Sequence, residues 1–458
     1  MRNEIKRLRA EVEDLKKDKG ARADVQEKVK TEAVAAATAA SAASTAALAD
    51  RVEQVELRVK DAVVGGDIGG SSRLPGSETS VRLYGFAELN MVKEFKGDNG
   101  DQDYSTFLPY GPLNGSAEAG RSGRAYLHAR TSRIGIEAST PSQYGPIGVK
   151  IEGDFNNEPR TGNAAVSGDI KNIYTQQATN SYNFRLRHAY GQFGGLLIGQ
   201  TWSTFMDVDN SPETVDFNGP IGSTFIRQPM IRYAYATADS GTFTGALENS
   251  VSYVLDKTAT VTTKGFSRVP DLVVRWDKGF TWGALSLRGV THELRLNDGA
   301  GLSQSSRGYG IAASGLYKTV GDDFLTWGVT YGTGVGRYFN YIEGAFYDET
   351  KNEILKEKAI GVVLGYQIKP STTMRYNLAL GMQHHYDNSY TDFARANGLD
   401  AGRFGINRSV WQAHLGFIWN PVKGVDIGTE YIFGRRKTLA GETGEMSRLD
   451  FSAKYYFN

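Results

Sequence analysis

The chain has 458 residues with 54 Gly, 12 Pro and no Cys, and its 52 basic side chains against 51 acidic ones leave a net charge of +1. Hydrophobic residues make up only 40%, below the roughly 45–50% of ordinary globular domains, yet 24 Tyr and 21 Phe argue against disorder. A mean hydropathy of −0.39 with no apolar run near about 18 residues excludes a helical membrane protein, the near-neutral total offers no field for nucleic acid, and the lack of Cys removes thiolate metal sites and disulfides.

Residues 1–64 hold no aromatic residue, no Pro and a single Gly among Ala and charges of both signs, which reads as helix. Ile5, Leu8, Val12 and Leu15 alternate spacings of three and four, an a/d seam, and Leu48, Val52, Val55 and Val59 repeat it after a register change. An Ala-rich tract between them predicts a thin seam, and Glu32 and Asp50 bracket it too closely for a membrane segment. A solvated single helix is the competing reading; a self-associating coiled coil fits the seam better. Residues 65–80, with Gly65, Gly66, Gly69, Gly70 and Pro75, read as a flexible linker.

From Val81 the period becomes two. Trp411, Ala413, Leu415, Phe417 and Trp419 alternate with Gln412, His414 and Gly416, and Leu449, Phe451, Ala453, Tyr455 and Phe457 alternate with Asp450, Ser452 and Lys454. Sixteen such segments occupy 81–458, joined alternately by short turns and by long polar loops such as 96–123, 156–182, 203–228 and 387–408. A soluble sandwich would bury one face, but here the other face carries Lys150, Glu152, Asp154, Arg185 and Arg187, so water reaches it. Trp276, Trp282, Trp327, Tyr331, Tyr366 and Trp419 lie at strand ends, as the aromatic belts of an outer-membrane barrel require. The expectation is an all-β transmembrane barrel of 16 antiparallel strands behind an N-terminal α-helical coiled coil. Such a barrel has a lumen too wide for side chains to fill. The segment of about 203–228, with Asp207, Asp209, Glu213, Asp216 and three prolines in or beside it, is the candidate constriction loop. An ordinary external loop is the alternative.

Several strings then look familiar. His128-Ala-Arg-Thr-Ser-Arg133, Glu152-Gly-Asp-Phe155, Arg185-Leu-Arg-His-Ala-Tyr-Gly191, Gly199-Gln-Thr-Trp-Ser-Thr-Phe-Met-Asp207 and Asp216-Phe-Asn-Gly-Pro220 resemble the DcaP-like family of trimeric outer-membrane porins. The resemblance runs from about Leu74 to Tyr235 and continues as barrel patterning. It implies a periplasmic trimerising rod, an outer-membrane barrel in contact with lipid and lipopolysaccharide, a homotrimer, and uptake of small anionic solutes such as dicarboxylates. The rod is then expected to touch peptidoglycan, another periplasmic partner or its sister helices alone. The chain departs from the usual barrel ending, since Asn458 follows Phe457, and Met1 leads directly into coiled coil, so it reads as mature or trimmed.

Selectivity in a pore comes from charge at the constriction. Arg133, Lys150, Arg185, Arg187, Arg232, Arg275, Arg288 and Arg375 share the lumen parity, predicting a basic ladder that faces the loop acids and guides carboxylates through bidentate guanidinium contacts. In the alternative, these cations pair with wall acids such as Glu137, Glu152 and Asp154 and brace the barrel. Arg130 falls on the lipid parity of its strand and is expected above the membrane or beyond a bulge. No catalytic residue, metal site or cofactor is expected: the Gly-rich strings at 308–310 and 332–336 precede no helix, and His384 and His385 point to opposite faces of one strand. The remaining alternatives are a general or sugar-type porin without anion preference and a trimeric adhesin-like surface protein. The adhesin fits poorly, because sixteen strands let one chain close its own barrel.

Overall fold

The computed structural model describes Lys6 and residues 68–73, 77–98, 104–157 and 182–457. The expected coiled-coil seam of Ile5, Leu8, Val12, Leu15, Val52, Val55 and Val59 lies outside the described residues.

The alternating segments pair as long antiparallel ladders. In chain order they are β1 (Ser80–Lys96), β2 in two pieces (Ala125–His128 and Arg133–Thr140), β3 (Ile147–Asn157), β4 (Asn183–Phe193), β5 (Leu196–Trp202), β6 (Arg227–Thr237), β7 (Gly241–Glu248) and β8 (Asp271–Phe280). The other half comprises β9 (Gly283–Asn297), β10 (Ser303–Lys318), β11 (Phe324–Thr333), β12 (Lys358–Ser371), β13 (Met374–His385), β14 (Asn407–Trp419), β15 (Val425–Thr438) and β16 (Thr443–Phe457). Each strand pairs with its sequence neighbour, and β1 closes the ring on β16, from Gly85 opposite Phe457 to Lys96 opposite Ser447. With the short Ser72–Arg73 pairing set aside, the barrel is a closed sheet of sixteen antiparallel strands.

Because side chains alternate across a strand, closure sends one parity to lipid and the other to the lumen. On β3, Ile147, Val149 and Ile151 are exposed while Lys150, Glu152 and Asp154 are buried. On β13, Met374, Tyr376, Leu378, Leu380 and Met382 face out, and Arg375, Asn377 and Gln383 face in. The belt residues end where turns begin: Trp282 stacks on Phe280 at 4.7 Å, and Trp276 donates its indole N–H to Ser240 O at 2.7 Å.

Two local features differ from the sequence reading. The second strand is interrupted at 129–132, where Phe155 N donates to Arg130 O at 3.0 Å. The break brings Arg130 into a buried position with its guanidinium 5.1 Å from the Tyr182 ring centre, the bulge-like outcome its parity required. The long loops, read as merely polar, also carry structure of their own. Val254–Leu255 pairs in parallel with Ala345–Phe346, Glu353–Leu355 adds a third strand, and helix α1 (Ser389–Ala396) packs Tyr390 and Ala394 against Leu255, Phe346, Leu355 and Ile406. α1 starts at Asn388, whose side chain accepts from Thr391 N while Thr391 Oγ1 accepts from Asn388 N, a reciprocal cap. Alternation cannot reveal such elements, because each is too short to carry a period.

Candidate functional site: the lumen and its folded-in segment

The segment after β5 does not project outward. It enters the lumen, and its backbone and acids bond to inward side chains around much of the ring. At its start Glu248 accepts from Ser203 Oγ at 2.6 Å and Thr204 N at 2.7 Å. Arg288 then donates to Phe205 O at 3.1 Å and Arg275 to Met206 O at 2.7 Å, while Arg275 also lies 3.3 Å from Asp207 and 2.7 Å from Asp277. Arg375 holds Glu213 at 2.9 Å and Asp426 at 3.1 Å, helped by Asn377 and Gln367 at 3.1 and 2.6 Å from Glu213. Glu430 accepts from the amides of Val215 at 3.0 Å and Asp216 at 3.1 Å, and Arg448 bridges Asp216 at 3.2 Å and Asp450 at 2.7 Å. The return path runs past Gln412, which accepts from Ile221 N at 2.9 Å, to Phe225 N donating to Tyr338 O at 3.1 Å.

Backbone can lie this close to a wall only where the wall lacks side chains. Inward glycines provide the track. A Cβ on Gly381 would meet Ile221 O at 1.9 Å, one on Gly361 would meet Gly222 O at 2.2 Å, and one on Gly365 would meet Pro212 Cβ at 2.7 Å. Phe205 lies in an apolar cluster with Val273, Val290, Val335 and Tyr338.

A second group of charges pairs with carboxylates of the strands themselves. Register sets Arg82 opposite Glu137 and Glu137 opposite Lys150, so unlike charges face each other across β1, β2 and β3. Arg82 contacts Glu137, with Lys150 3.1 Å from the same carboxylate. Arg133 is 3.4 Å from Glu152, and Arg187 lies 2.6 Å from Glu152 and 3.2 Å from Asp154. Arg185 makes a two-pronged contact with Asp154 at 2.8 and 2.9 Å. Above this group Arg185 and Arg187 sit 5.8 and 5.5 Å from the Phe217 ring, and Arg227 stacks 3.3 Å from the Trp202 ring centre.

All eight ladder residues therefore occupy strands, and seven of them fall into two assemblies. Arg133, Lys150, Arg185 and Arg187 meet wall acids; Arg275, Arg288 and Arg375 meet the folded-in segment. Arg232 stands half-buried on β6 in register with Leu197 and Ala246. Of the four loop acids, Asp207, Glu213 and Asp216 bond to strand arginines, whereas Asp209 donates its amide to Asp207 Oδ1 at 3.2 Å beside Arg275. Asp207 and Glu213 thus touch the ladder arginines Arg275 and Arg375, while Asp216 touches Arg448, which the ladder did not include. Sequence reasoning also missed Glu248, Glu430 and Arg448, which anchor the segment, and Arg436, which reaches Gly111 O at 2.8 Å and holds the first long loop inside the barrel. Their signal was present as lumen-parity charge on β7, β15 and β16.

Residues 71–457 match the profile of the DcaP outer membrane protein family. Among solved structures the chain is similar to the outer membrane channel DcaP of Acinetobacter baumannii, at 25% identity and a TM-score of 0.68, over 85% of this chain and 100% of that one. Looser likenesses, each at 14% identity and a TM-score of 0.47, are to OmpT of Vibrio cholerae over 84% of this chain and 99% of that one, and to an anion-selective porin of Comamonas acidovorans over 83% and 100%. No curated protein sequence matches the chain. With its closed sixteen-stranded wall and lumen-lining charge, the chain has the fold of an outer-membrane porin and belongs to the DcaP outer membrane protein family.

Proposed function

We propose that the chain is a passive diffusion channel for small hydrophilic solutes that favours anions such as dicarboxylates, with the segment of about 203–228 as its constriction and a homotrimer as its assembly. The observation that carries this reading is the uneven charge of the lumen. On β1–β4, Arg82, Arg133, Lys150, Arg185 and Arg187 meet Glu137, Glu152 and Asp154. On β13–β16, Arg375 and Arg448 meet Asp426 and Asp450 together with Glu213 and Asp216 of the segment, and Glu430 accepts from the segment's amides. A low-dielectric wall focuses such separated charge across a water-filled passage. A carboxylate then travels on the cation-rich side, where the Arg185 side chain keeps 28% of its surface accessible.

Planar-bilayer reversal potentials under a salt gradient test this. Arg185→Gln with Arg232→Gln is expected to move the anion-to-cation permeability ratio toward unity, and an unchanged ratio sinks the reading. A charge-indifferent porin is favoured by the sharing of carboxylates throughout the wall group. Liposome swelling separates the two, with succinate faster than a neutral sugar of similar size for an anion channel and equal rates for a general one. The trimer is checked by mobility of the unboiled protein on a gel, with and without residues 1–70.

A further inference from the structure

The first long loop also enters the lumen. Between β1 and β2, residues 104–113 turn inward through a short 3-10 helix at Ser105–Tyr110 and lie along the inner face of β14–β16. Asn407 donates to Pro109 O at 2.9 Å, Arg436 to Gly111 O at 2.8 Å, and Asn114 N to Thr443 O at 2.7 Å. Inward glycines clear the wall for it as they do for the 203–228 segment: a Cβ on Gly444 would meet Pro112 O at 2.4 Å, and one on Gly434 would meet Leu108 Cδ2 at 2.5 Å. The two inserted stretches also grip each other. Ser105 N donates to Asp216 Oδ2 at 2.6 Å, and Gln412 joins both backbones, donating to Ser105 O and accepting from Ile221 N. Leu108 and Ile221 close over Val410, Ile432 and Met446, and none of the five is more than 2% exposed. These three wall residues stand on the lumen parity, where open water would meet them, so their dryness records what lies on top.

We propose that residues 104–113 form a second arm of the constriction, locked to the 203–228 segment through Ser105, Leu108 and Gln412, and that this arm sets the size limit for solutes by sealing the β14–β16 side of the lumen. The proposal rests on the reading of the lumen as a diffusion channel. A hydrated solute is larger than a water molecule, and water does not reach Val410, Gln412, Ile432 or Met446, so no solute passes along that side. The opening is then bounded by the two arms on one side and by the wall that carries Arg185 on the other. Pore diameter is one of the physical levers of channel selectivity, and here one loop fixes the position of another across the wall. Size exclusion by this arm does not depend on the sign of the lumen charge.

Gly444→Leu drives a side chain into the backbone at Pro112 and is expected to lift the arm, while the segment keeps Arg275, Arg375 and Glu430. The sequence contains no Cys, so Leu108→Cys reports the arm's position. A buried thiol is inert and an exposed one reacts. A charged thiosulfonate reagent is expected to leave Leu108→Cys unmodified and to modify it in the Gly444→Leu background. The full-length proteins are then compared in planar bilayers and in liposomes swelling with a neutral pentose, disaccharide and trisaccharide. Lifting the arm is expected to raise single-channel conductance and to raise the rates of the larger sugars relative to the pentose. A second variant, with residues 105–112 replaced by a short Gly-Ser link, removes the arm outright and is expected to show the same changes, with heat-modifiable gel mobility confirming a folded barrel. A thiol that reacts without Gly444→Leu overturns the proposal, as do unchanged conductance and unchanged sugar rates in the Gly-Ser variant. Neutral sugars keep this apart from anion preference: a wild type that admits succinate and sugar equally fails the anion reading alone, and the size limit still decides the arm.

Discussion

Strands β2–β4 and strands β8–β16 carry arginine on the same lumen parity and use it differently. In the first sector each cation meets a carboxylate one or two strands away, as with Arg133 and Glu152 or Arg185 and Asp154, so the pairs brace the wall. In the second, Arg275, Arg375 and Arg448 reach carboxylates of the folded-in segment, so the pairs fasten a loop. Glycine follows the same division. A Cβ on lumen-facing Gly148 of β3 would approach nothing nearer than 4.0 Å, whereas one on Gly381 of β13 would collide with Ile221 O. A lumen-facing residue is therefore interpretable only once the element lying over it is known.

The strongest challenge to this comparison exchanges the glycines. Gly381→Leu places side-chain atoms inside the segment's backbone, an overpacking cost of about 1–3 kcal/mol or more, and is expected to expel the segment and raise single-channel conductance. Gly148→Leu, in open space, is expected to leave conductance near wild type. Equal effects would dissolve the distinction between the sectors.

Next in size come the arginines. Arg375→Ala strips the cation from Glu213 and Asp426, and unpairing a buried charge costs about 3–5 kcal/mol, here paid by release of the segment. Proteolysis between 207 and 216 in the folded protein is expected to accelerate, with noisier open-channel current. Arg133→Ala is expected to do much less, because Glu152 keeps Arg187 at 2.6 Å and Tyr84 Oη at 2.9 Å.

The smallest effect concerns the loops above the lumen. Glu357 accepts from Val335 N at 2.6 Å, and burial pushes its carboxyl up to about 8 from the ordinary 4.5. The folded loop keeps this group protonated where the unfolded chain would ionise it. Its packing is thus fully stable below about 4.5, weakens as pH rises to about 8, and changes little beyond. Amide hydrogen exchange around 334–357 should follow that slope, and Glu357→Gln should flatten it.

Much of the wall was legible in the sequence. Period two located the strands and assigned each side chain to lipid or lumen, since a pleated strand has only two faces and lipid tolerates only one kind of residue. Even the glycine track left a trace, as Gly361, Gly365 and Gly381 stand on the lumen parity. The Glu137–Lys150 pair follows from register, because the short turn between β2 and β3 fixes which residues oppose each other. The small three-stranded sheet and α1 were not legible, since strands of two to four residues and a helix of eight are too short for a period to stand out, and the break at 129–132 left a trace only in the parity of Arg130.

What the sequence by itself determined is the alternation, the strand number, and a lumen lined with charge. What only the tertiary structure decided is which carboxylate each arginine meets. Arg375 and Glu213 are 162 residues apart, and their contact depends on ring closure and on the path of one segment across the lumen. No local rule couples positions that distant. The ladder of like residues therefore divides into braces and fasteners only when the barrel has closed around its loop.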